Sequence, residues 1–214
     1  LGCHFELTKH GIRLAEELPA EERLITFPIK REFKDLSDIS GINIQNKIDT
    51  SSCLMKIGKC IENGYLQKGI KTIIYTDLVT NVIDNISRYL KIGGLKVGEF
   101  TGRNEKTRYQ GMNNFINCDL DVLIASKPIS TGVDGLQKVC NQIIILIPAW
   151  TYAEYHQLVG RINRKGTKFD EVEIIIPTIE FVKDNGESWS LDEERLIRIK
   201  FKKSLADVTI NGEI

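Results

Sequence analysis

The run Gln142-Ile-Ile-Ile-Leu-Ile147 is the most apolar stretch of the sequence, and it predicts a strand that is buried on both faces. Shorter apolar runs of the same kind occur at residues 71–76 and 121–125. Amphipathic stretches lie between them, such as residues 79–90, which carry apolar side chains at helical spacing. Strands that alternate with helices are joined by right-handed crossovers and lie parallel in one sheet. The sequence therefore predicts an α/β fold, a mainly parallel sheet with helices on both faces.

Further predicted elements complete this alternation, and two flanks lie outside it. The pattern predicts additional strands at 95–100 and 172–176, and helices at 54–65, 105–116 and 152–162. On the flanks it favours a helix at 7–18, a strand at 23–29 and a terminal helix at 191–205. We therefore expect a linker segment over residues 1–50, a single domain over 51–180 and a C-terminal extension over 181–214.

The charge and cysteine content exclude several classes of protein. The 29 Lys and Arg residues balance 29 Asp and Glu residues, so any contact with nucleic acid must come from a local surface. The five cysteines form no CxxC pair, which argues against a disulfide framework and against a zinc site. The sequence has no apolar run long enough to span a membrane and no signal-peptide pattern. We therefore expect a cytoplasmic or nuclear protein, with no membrane partner and no metal site in this chain.

A second stretch, Gln157-Leu-Val-Gly-Arg-Ile-Asn-Arg-Lys-Gly166, places three polar side chains on one side of a predicted helix. At about 100° per residue, Gln157, Arg161 and Arg164 lie within roughly 60° of one another. Two guanidinium groups held together repel unless an anion lies between them, and the planar donors of arginine match a phosphate. The spacing by itself is equally typical of an ordinary basic helix surface.

The loop after the strand at 121–125 reads Ser126-Lys-Pro-Ile-Ser-Thr-Gly-Val-Asp-Gly135. Small hydroxyl residues and glycines allow backbone amides to approach an anion, and a loop at the carboxyl end of a strand is where a phosphate binds. Asp134 is a candidate acceptor for a ribose hydroxyl. Taken alone, the same composition is also typical of a loop that only reverses the chain.

Together these segments resemble motifs V and VI of superfamily 2 helicases and translocases. The resemblance rests on the strand that ends Ile-Ala-Ser126, the Ser-Thr-Gly-Val-Asp-Gly loop, the apolar strand at 142–147, Trp150 and the segment 157–166. Upstream, residues 71–77 resemble the motif IV strand, and Phe100-Thr-Gly102 resembles the segment that follows that motif. Residues 13–19 and Trp150 are similar to the corresponding parts of SWI/SNF-type translocases.

The resemblance implies the second of two RecA-like lobes in an ATP-driven DNA motor, with RNA as the alternative substrate and ATP bound between the lobes. It implies that Arg164 is the arginine finger, that Arg161 lies beside it, and that Gln157 couples the site to its neighbours. It implies nucleotide contacts by Asp134, Gly132 and Gly160, and nucleic-acid contacts by Thr131, Gly132, Thr101, Gly102 and Lys127. Magnesium is then bound mainly by the first lobe. The branch stays open, because Ser126 is typical of remodellers whereas Gly160-Arg161 is typical of other helicases.

A motor of this class also requires a Walker A loop and an acidic Walker B pair. The segment Gly64-Tyr-Leu-Gln-Lys-Gly69-Ile-Lys71-Thr72 comes close to GxxxxGK[ST], but Ile70 separates Gly69 from Lys71, and the segment precedes a strand instead of following one. Asp192-Glu193-Glu194 is better explained as the first turn of a helix. Because the chain starts at Leu1 without a methionine, we expect it to be part of a longer protein. We predict that it holds half an ATP site and does not hydrolyse ATP alone.

Two other functions stay open at this point. One is a RecA-like domain that has lost catalysis and binds nucleic acid or protein, and the other is an unrelated α/β nucleotide-binding enzyme. The presence of Gln157, Arg161 and Arg164 argues against the first. The absence of GxGxxG after the first strand, and of a nucleophile with a base, argues against the second.

Overall fold

The computed structural model describes residues 5–8, 11–14, 19–32, 44–103, 105–117, 119–131 and 133–211. The strands are β1 (Phe5–Thr8), β2 (Gly11–Leu14), β3 (Glu21–Glu32), β4 (Thr72–Tyr75), β5 (Val97–Phe100), β6 (Val122–Ala125), β7 (Gln142–Ile145), β8 (Glu171–Val182) and β9 (Ser188–Trp189). The helices are α1 (Ile44–Glu62), α2 (Val82–Ile92), α3 (Arg108–Asn117), α4 (Tyr152–Val159) and α5 (Leu191–Asn211).

Within the described residues, seven strands form one sheet in the order β3-β8-β7-β4-β6-β5, and β9 pairs with β8. Every pair along this order is parallel, and only the short β9 runs antiparallel to its neighbour. The most apolar strand, β7, lies between β8 and β4 in the interior of the sheet. The predicted α/β fold with a mainly parallel sheet is therefore confirmed.

Alternating side chains of the central strands build one core on each face of the sheet. Ile73 of β4 is in register with Leu123 and Ile143, and all three are fully buried in one cluster. The next residue, Ile74, is in register with Ile124 and belongs to the opposite cluster. Since successive side chains of a strand point to opposite faces, a continuous isoleucine run requires cover on both faces.

The helices provide that cover from both sides. Ile57 of α1 and Ile86 of α2 are fully buried in one cluster, whereas Phe115 of α3, Leu158 of α4 and Leu196 of α5 lie in the other. Burial of such side chains stabilises the fold by about 25 cal/mol for each Å² of apolar surface removed from water. The helices therefore lie on both faces, as the sequence predicts.

The N-terminal flank differs from its prediction. The helix expected at 7–18 is wrong where the chain is described, because β1 and β2 pair as antiparallel strands that match Phe5 with Leu14 and Leu7 with Ile12. In the sequence of each strand the apolar residues alternate with a period of two, which favours a strand over a helix. The next strand, predicted at 23–29, is confirmed and extends over the whole of β3.

The C-terminal part keeps the predicted elements but lengthens them. The strand predicted at 172–176 becomes β8, and β3 pairs with β8 along its whole length. The helix predicted at 191–205 becomes α5. Helix α1 begins at Ile44, ahead of the boundary expected at residue 50. Strand β3 thus belongs to the same sheet as the later strands, and helix α1 packs into one of its cores.

Three glycines adopt a conformation or a close contact that other residues would not readily take. Gly64 and Gly69, in the near-match to a Walker A loop, have φ values of +76° and +84°, and they form the turn between α1 and β4. The prediction that this segment is a helix end and turn is confirmed. Gly111 brings α3 against β5, since a Cβ atom there would lie 2.4 Å from the Glu99 carbonyl oxygen.

Candidate functional site

The loop after β6, residues 126–141, is anchored in the core at the carboxyl end of its strand. We call it the β6 loop. Its backbone forms two 3₁₀ turns, Lys127–Ser130 and Leu136–Lys138. Ile129 and Val133 are buried beneath it. The loop is therefore fixed at several points, while Lys127, Thr131 and Asp134 stay exposed at the surface. Gly132, which the sequence predicts to contact both nucleotide and nucleic acid, lies outside the described residues.

Helix α4 begins at a well-formed cap and ends earlier than predicted. The Thr151 hydroxyl accepts a hydrogen bond from the Glu154 backbone N–H at 3.2 Å, which satisfies a free donor of the first turn. At the other end the Gly160 N–H donates to a helix carbonyl at 2.9 Å, and the chain then turns so that Ile162 becomes fully buried. Glycine weakens a helix, and the burial of Ile162 favours a turn over continuation of α4. The prediction that Gln157, Arg161 and Arg164 share a helix face is therefore wrong.

Arg161 points inward and holds the β6 loop. Its Nη1 donates to the Val133 carbonyl at 3.1 Å, and its Nη2 donates to the Ser130 carbonyl. Its Nε is buried without a hydrogen-bond partner among the described residues. The guanidinium thus bridges two carbonyls on either side of the loop tip, and its terminal nitrogens are committed to that structure.

Arg164 stays near solvent and meets the same loop from outside. Its Nη1 lies 3.3 Å from Asp134 Oδ1, and the two side chains are 41% and 73% exposed. A hydrogen bond from Gln137, the Gly135 backbone N–H and the charge of Arg164 together hold the pKa of Asp134 below its ordinary value. Asp134 is therefore ionised near neutral pH, and the two arginines of this segment have different surroundings.

Three further predicted residues lie at the surface around this loop. Gln157 is exposed on α4. Lys127 is exposed, with its Nζ 3.8 Å from Glu154 Oε1. Thr131 is exposed as well, and its hydroxyl donates to the Pro128 carbonyl at 3.2 Å. Gly160, predicted to contact the nucleotide, forms the C-terminal cap of α4.

The loop after β5 presents its two predicted residues differently. Thr101 is fully buried, and its hydroxyl donates to Glu99 Oε1 at 2.5 Å, so this hydroxyl does not face an incoming strand. Gly102 is exposed. Next to it, Arg103 donates to both carboxylate oxygens of Asp84 at 2.8 Å and to Glu99 at 2.7 Å. The expectation of a side-chain contact therefore does not fit Thr101, whereas Gly102 remains a candidate.

A comparison with protein families identifies the family to which this chain belongs. The family model described as "Helicase conserved C-terminal domain" matches residues 54–166, which is just over half of the 214-residue chain. The chain belongs to this family. The match begins in α1 and ends at Gly166, so it includes both the β6 loop and the two arginines. The β6 loop and the Arg161–Arg164 segment therefore both lie within the part of the chain that forms the helicase C-terminal lobe.

Two individual similarities agree with this assignment. The chain is 24% identical over 186 residues to the DNA repair protein RAD5 of Yarrowia lipolytica (strain CLIB 122 / E 150), and the match covers 86% of this chain. It spans 17% of the length of that relative. The crystal structure of the C-terminal part of the Fun30 ATPase domain matches with a TM-score of 0.50 and 19% identity, over 70% of this chain and 45% of the other. The predicted RecA-like fold is confirmed.

Arg103 is a further residue of this region that the sequence patterns do not indicate, and its contacts with Asp84 and Glu99 hold the loop after β5. Arg103 follows Thr101-Gly102 directly, and this adjacency was the available signal for its role at the loop.

No described helix is both long and apolar enough to cross a lipid bilayer. Among the described residues, no group of three or more His, Cys, Asp or Glu side chains is arranged to hold a metal ion.

Proposed function

We propose that this lobe completes an ATP site whose other half lies on a first RecA-like lobe of the same protein, in an ATP-dependent DNA helicase or translocase. The observation that carries the proposal is the state of Arg164. Its side chain is 41% exposed and is paired with an Asp134 side chain that is itself 73% exposed. A pair in such a position is weakly held, so the guanidinium can exchange a carboxylate for a phosphate.

The two arginines take separate roles in this proposal. Arg164 is the arginine finger, which neutralises charge that develops on the phosphoryl oxygens during transfer. Arg161 already donates to the Ser130 and Val133 carbonyls, so it shapes the β6 loop beside that arginine. Gln157, exposed on α4, links the site to its surroundings.

ATP fits the donor set of this surface only in part. Arg164 offers phosphate binding, and Asp134 offers an acceptor for a sugar hydroxyl or for the facing lobe. The described residues include no phosphate-cradling loop, because the near-match at 64–72 is a turn that precedes β4. We therefore assign the triphosphate cradle and the magnesium ligands to the first lobe, and the isolated chain is expected not to hydrolyse ATP.

The nucleic acid is assigned to the neighbouring loops at the carboxyl edge of the sheet. Gly102, Lys127 and Thr131 are exposed in the loops after β5 and β6. A glycine, a lysine and a hydroxyl contact phosphate and sugar, which positions a strand without reading its sequence. DNA is the proposed substrate because the curated relative is a DNA repair protein, and RNA is the alternative.

The decisive experiment measures DNA-stimulated ATP turnover by the full-length protein that contains this chain. Arg164→Ala should lower kcat by about 10³-fold or more while leaving the fold unchanged. Lys168→Ala is the matched control, because Lys168 is a nearby exposed basic residue. It should retain turnover close to that of the unmodified protein.

Three outcomes would reject parts of this proposal. Near-normal turnover by Arg164→Ala would reject the arginine finger. DNA binding by a full-length protein that shows no turnover under any condition would favour the non-catalytic binding module instead. ATP hydrolysis by the purified 214-residue chain, lost on mutation within it, would reject the half-site.

A further inference from the structure

Arg195 of α5 holds the chain segment that leads into α4. Its Nη1 donates to the Pro148 carbonyl at 3.0 Å. Its guanidinium carbon lies 4.0 Å from the centroid of the Trp150 ring, within the range of a cation–π contact. One side chain from the C-terminal extension therefore fixes both the backbone and the aromatic ring of residues 148–150.

The start of α5 is itself firmly attached to the sheet. Lys56 of α1 is 3% exposed and forms an ion pair with Asp192 at 2.6 Å. The same lysine donates to the Leu146 carbonyl, and Asp192 accepts from the Ile179 backbone N–H at 2.9 Å. Leu196 is buried in the core one residue after Arg195. The start of α5 is therefore held in place by these contacts, and Arg195 in turn holds the segment that it contacts.

Residues 148–150 determine where α4 begins, and thereby influence the positions of the two arginines that follow this helix. Thr151 caps α4 directly after Trp150, and α4 runs from there to Gly160. The chain then turns into Arg161 and Arg164. A shift of residues 148–150 would therefore displace the N-terminal end of the short helix that precedes the candidate arginine finger.

We propose that Arg195 is a positioning residue for this site, acting through Trp150 and α4 on Arg164. This inference rests on the proposed function for its effect on turnover, but the placement of Trp150 is independent of it. The burial of Arg195 supports a specific role. Its Nε is buried without a hydrogen-bond partner among the described residues, an unfavourable arrangement that an apolar residue would avoid.

The same helix offers a matched control in Arg198. Its guanidinium carbon lies 5.5 Å from the Trp150 centroid, and its side chain is exposed. Arg195 and Arg198 therefore share a helix, a charge and an aromatic neighbour, whereas the hydrogen bond to Pro148 is made by Arg195.

The first test compares Arg195→Ala, Arg195→Lys and Arg198→Ala in the full-length protein. Arg195→Ala should lower kcat for ATP by about tenfold to a hundredfold, because a small displacement of a catalytic group has an effect of that size. KM for ATP should change much less. Arg195→Lys keeps the charge over Trp150 but lacks the planar donors. Its kcat should therefore lie between those of the unmodified protein and Arg195→Ala. Arg198→Ala should retain normal kcat.

The second test reads the position of Trp150 directly. Trp150 and Trp189 are the two tryptophans of the chain, so Trp189→Phe leaves Trp150 as the single reporter in the 214-residue chain. Adding Arg195→Ala should shift its emission to longer wavelength and increase quenching by acrylamide. Adding Arg198→Ala should leave both unchanged. Circular dichroism of each variant confirms that the comparison is between folded proteins.

The two readouts separate failure of this inference from failure of the proposed function. If Arg195→Ala keeps normal kcat and normal Trp150 emission, Arg195 is not a positioning residue. If kcat and emission change equally in Arg198→Ala, the effect is one of general charge and the inference is also rejected. If the unmodified full-length protein shows no turnover, the proposed function fails, and the Trp150 emission alone decides whether Arg195 positions this segment.

Discussion

Arg161→Ala should destabilise the folded lobe, whereas Arg164→Ala should not. Arg161 donates to the Ser130 and Val133 carbonyls on either side of the tip of the β6 loop. Alanine removes both donors and leaves the carbonyls without them. Arg164 is 41% exposed and contacts Asp134 at the surface, where such a pair adds little.

The size of the effect follows from these contacts. Each hydrogen bond from a charged donor contributes about 1.5–3 kcal/mol to stability, and the partial exposure of Arg161 reduces that figure. We therefore expect the free energy of unfolding to fall by about 3 kcal/mol in Arg161→Ala. A domain of this size loses about 2–4 °C in Tm for each kcal/mol, so the expected decrease is about 6–12 °C. Arg164→Ala should stay within about 2 °C of the unmodified chain.

The assay is thermal and urea unfolding of the 214-residue chain, followed by far-ultraviolet circular dichroism. Arg161→Lys is a useful intermediate, because lysine keeps the charge but cannot bridge two separate carbonyls with a planar fork. Its stability should lie between those of the unmodified chain and Arg161→Ala. Equal stability of Arg161→Ala and Arg164→Ala would refute the division of roles between the two arginines.

Two further predictions concern β5 and its neighbours. Gly111→Ala should lower the free energy of unfolding by about 1–3 kcal/mol, because the added Cβ would lie 2.4 Å from the rigid Glu99 carbonyl oxygen. Gly58→Ala is its control, since that Cβ would meet Tyr89 Oη at an ordinary 3.5 Å, and urea unfolding measures both. Arg103 donates to Glu99 and lowers its pKa below the ordinary 4.5, so this contribution to stability is present above pH 4.5 and is lost as the pH falls through the folded value. Urea unfolding at a series of pH values should show a weaker acid dependence in Arg103→Ala, and an unchanged dependence would contradict the assignment.

The sheet could be predicted from the sequence because its signal is local. Each central strand is a short run of β-branched residues, and Ile73 and Ile74 face opposite cores. Only a strand with cover on both faces accepts such a run, so the runs specify a parallel sheet without any long-range information. The β6 loop could also be placed, since it follows a recognisable strand and lies at its carboxyl end.

The end of α4 could not be predicted from spacing, because tertiary packing decides it. Helical periodicity continues past Gly160 in the sequence, but Ile162 is fully buried and the backbone turns to place it there. Thr101 is a similar case. A hydroxyl beside a glycine suggests an exposed anion contact, yet Glu99 accepts its hydrogen bond inside the fold. Spacing identifies candidate residues, but the direction of each side chain depends on the packing around it.

The turn after α4 also explains how two arginines can lie close in sequence without strong repulsion between their guanidinium groups. If α4 continued through Arg164, both guanidinium groups would lie on one side of the helix, and their repulsion would require an anion for relief. The turn instead directs Arg161 to two backbone carbonyls and leaves Arg164 beside Asp134. A lobe that must be stable before ATP arrives benefits from this separation, because its inner arginine is satisfied by the protein itself. Under the proposed function only Arg164 meets the facing lobe, so we expect loss of ATP to change the surroundings of Arg164 and not those of Arg161.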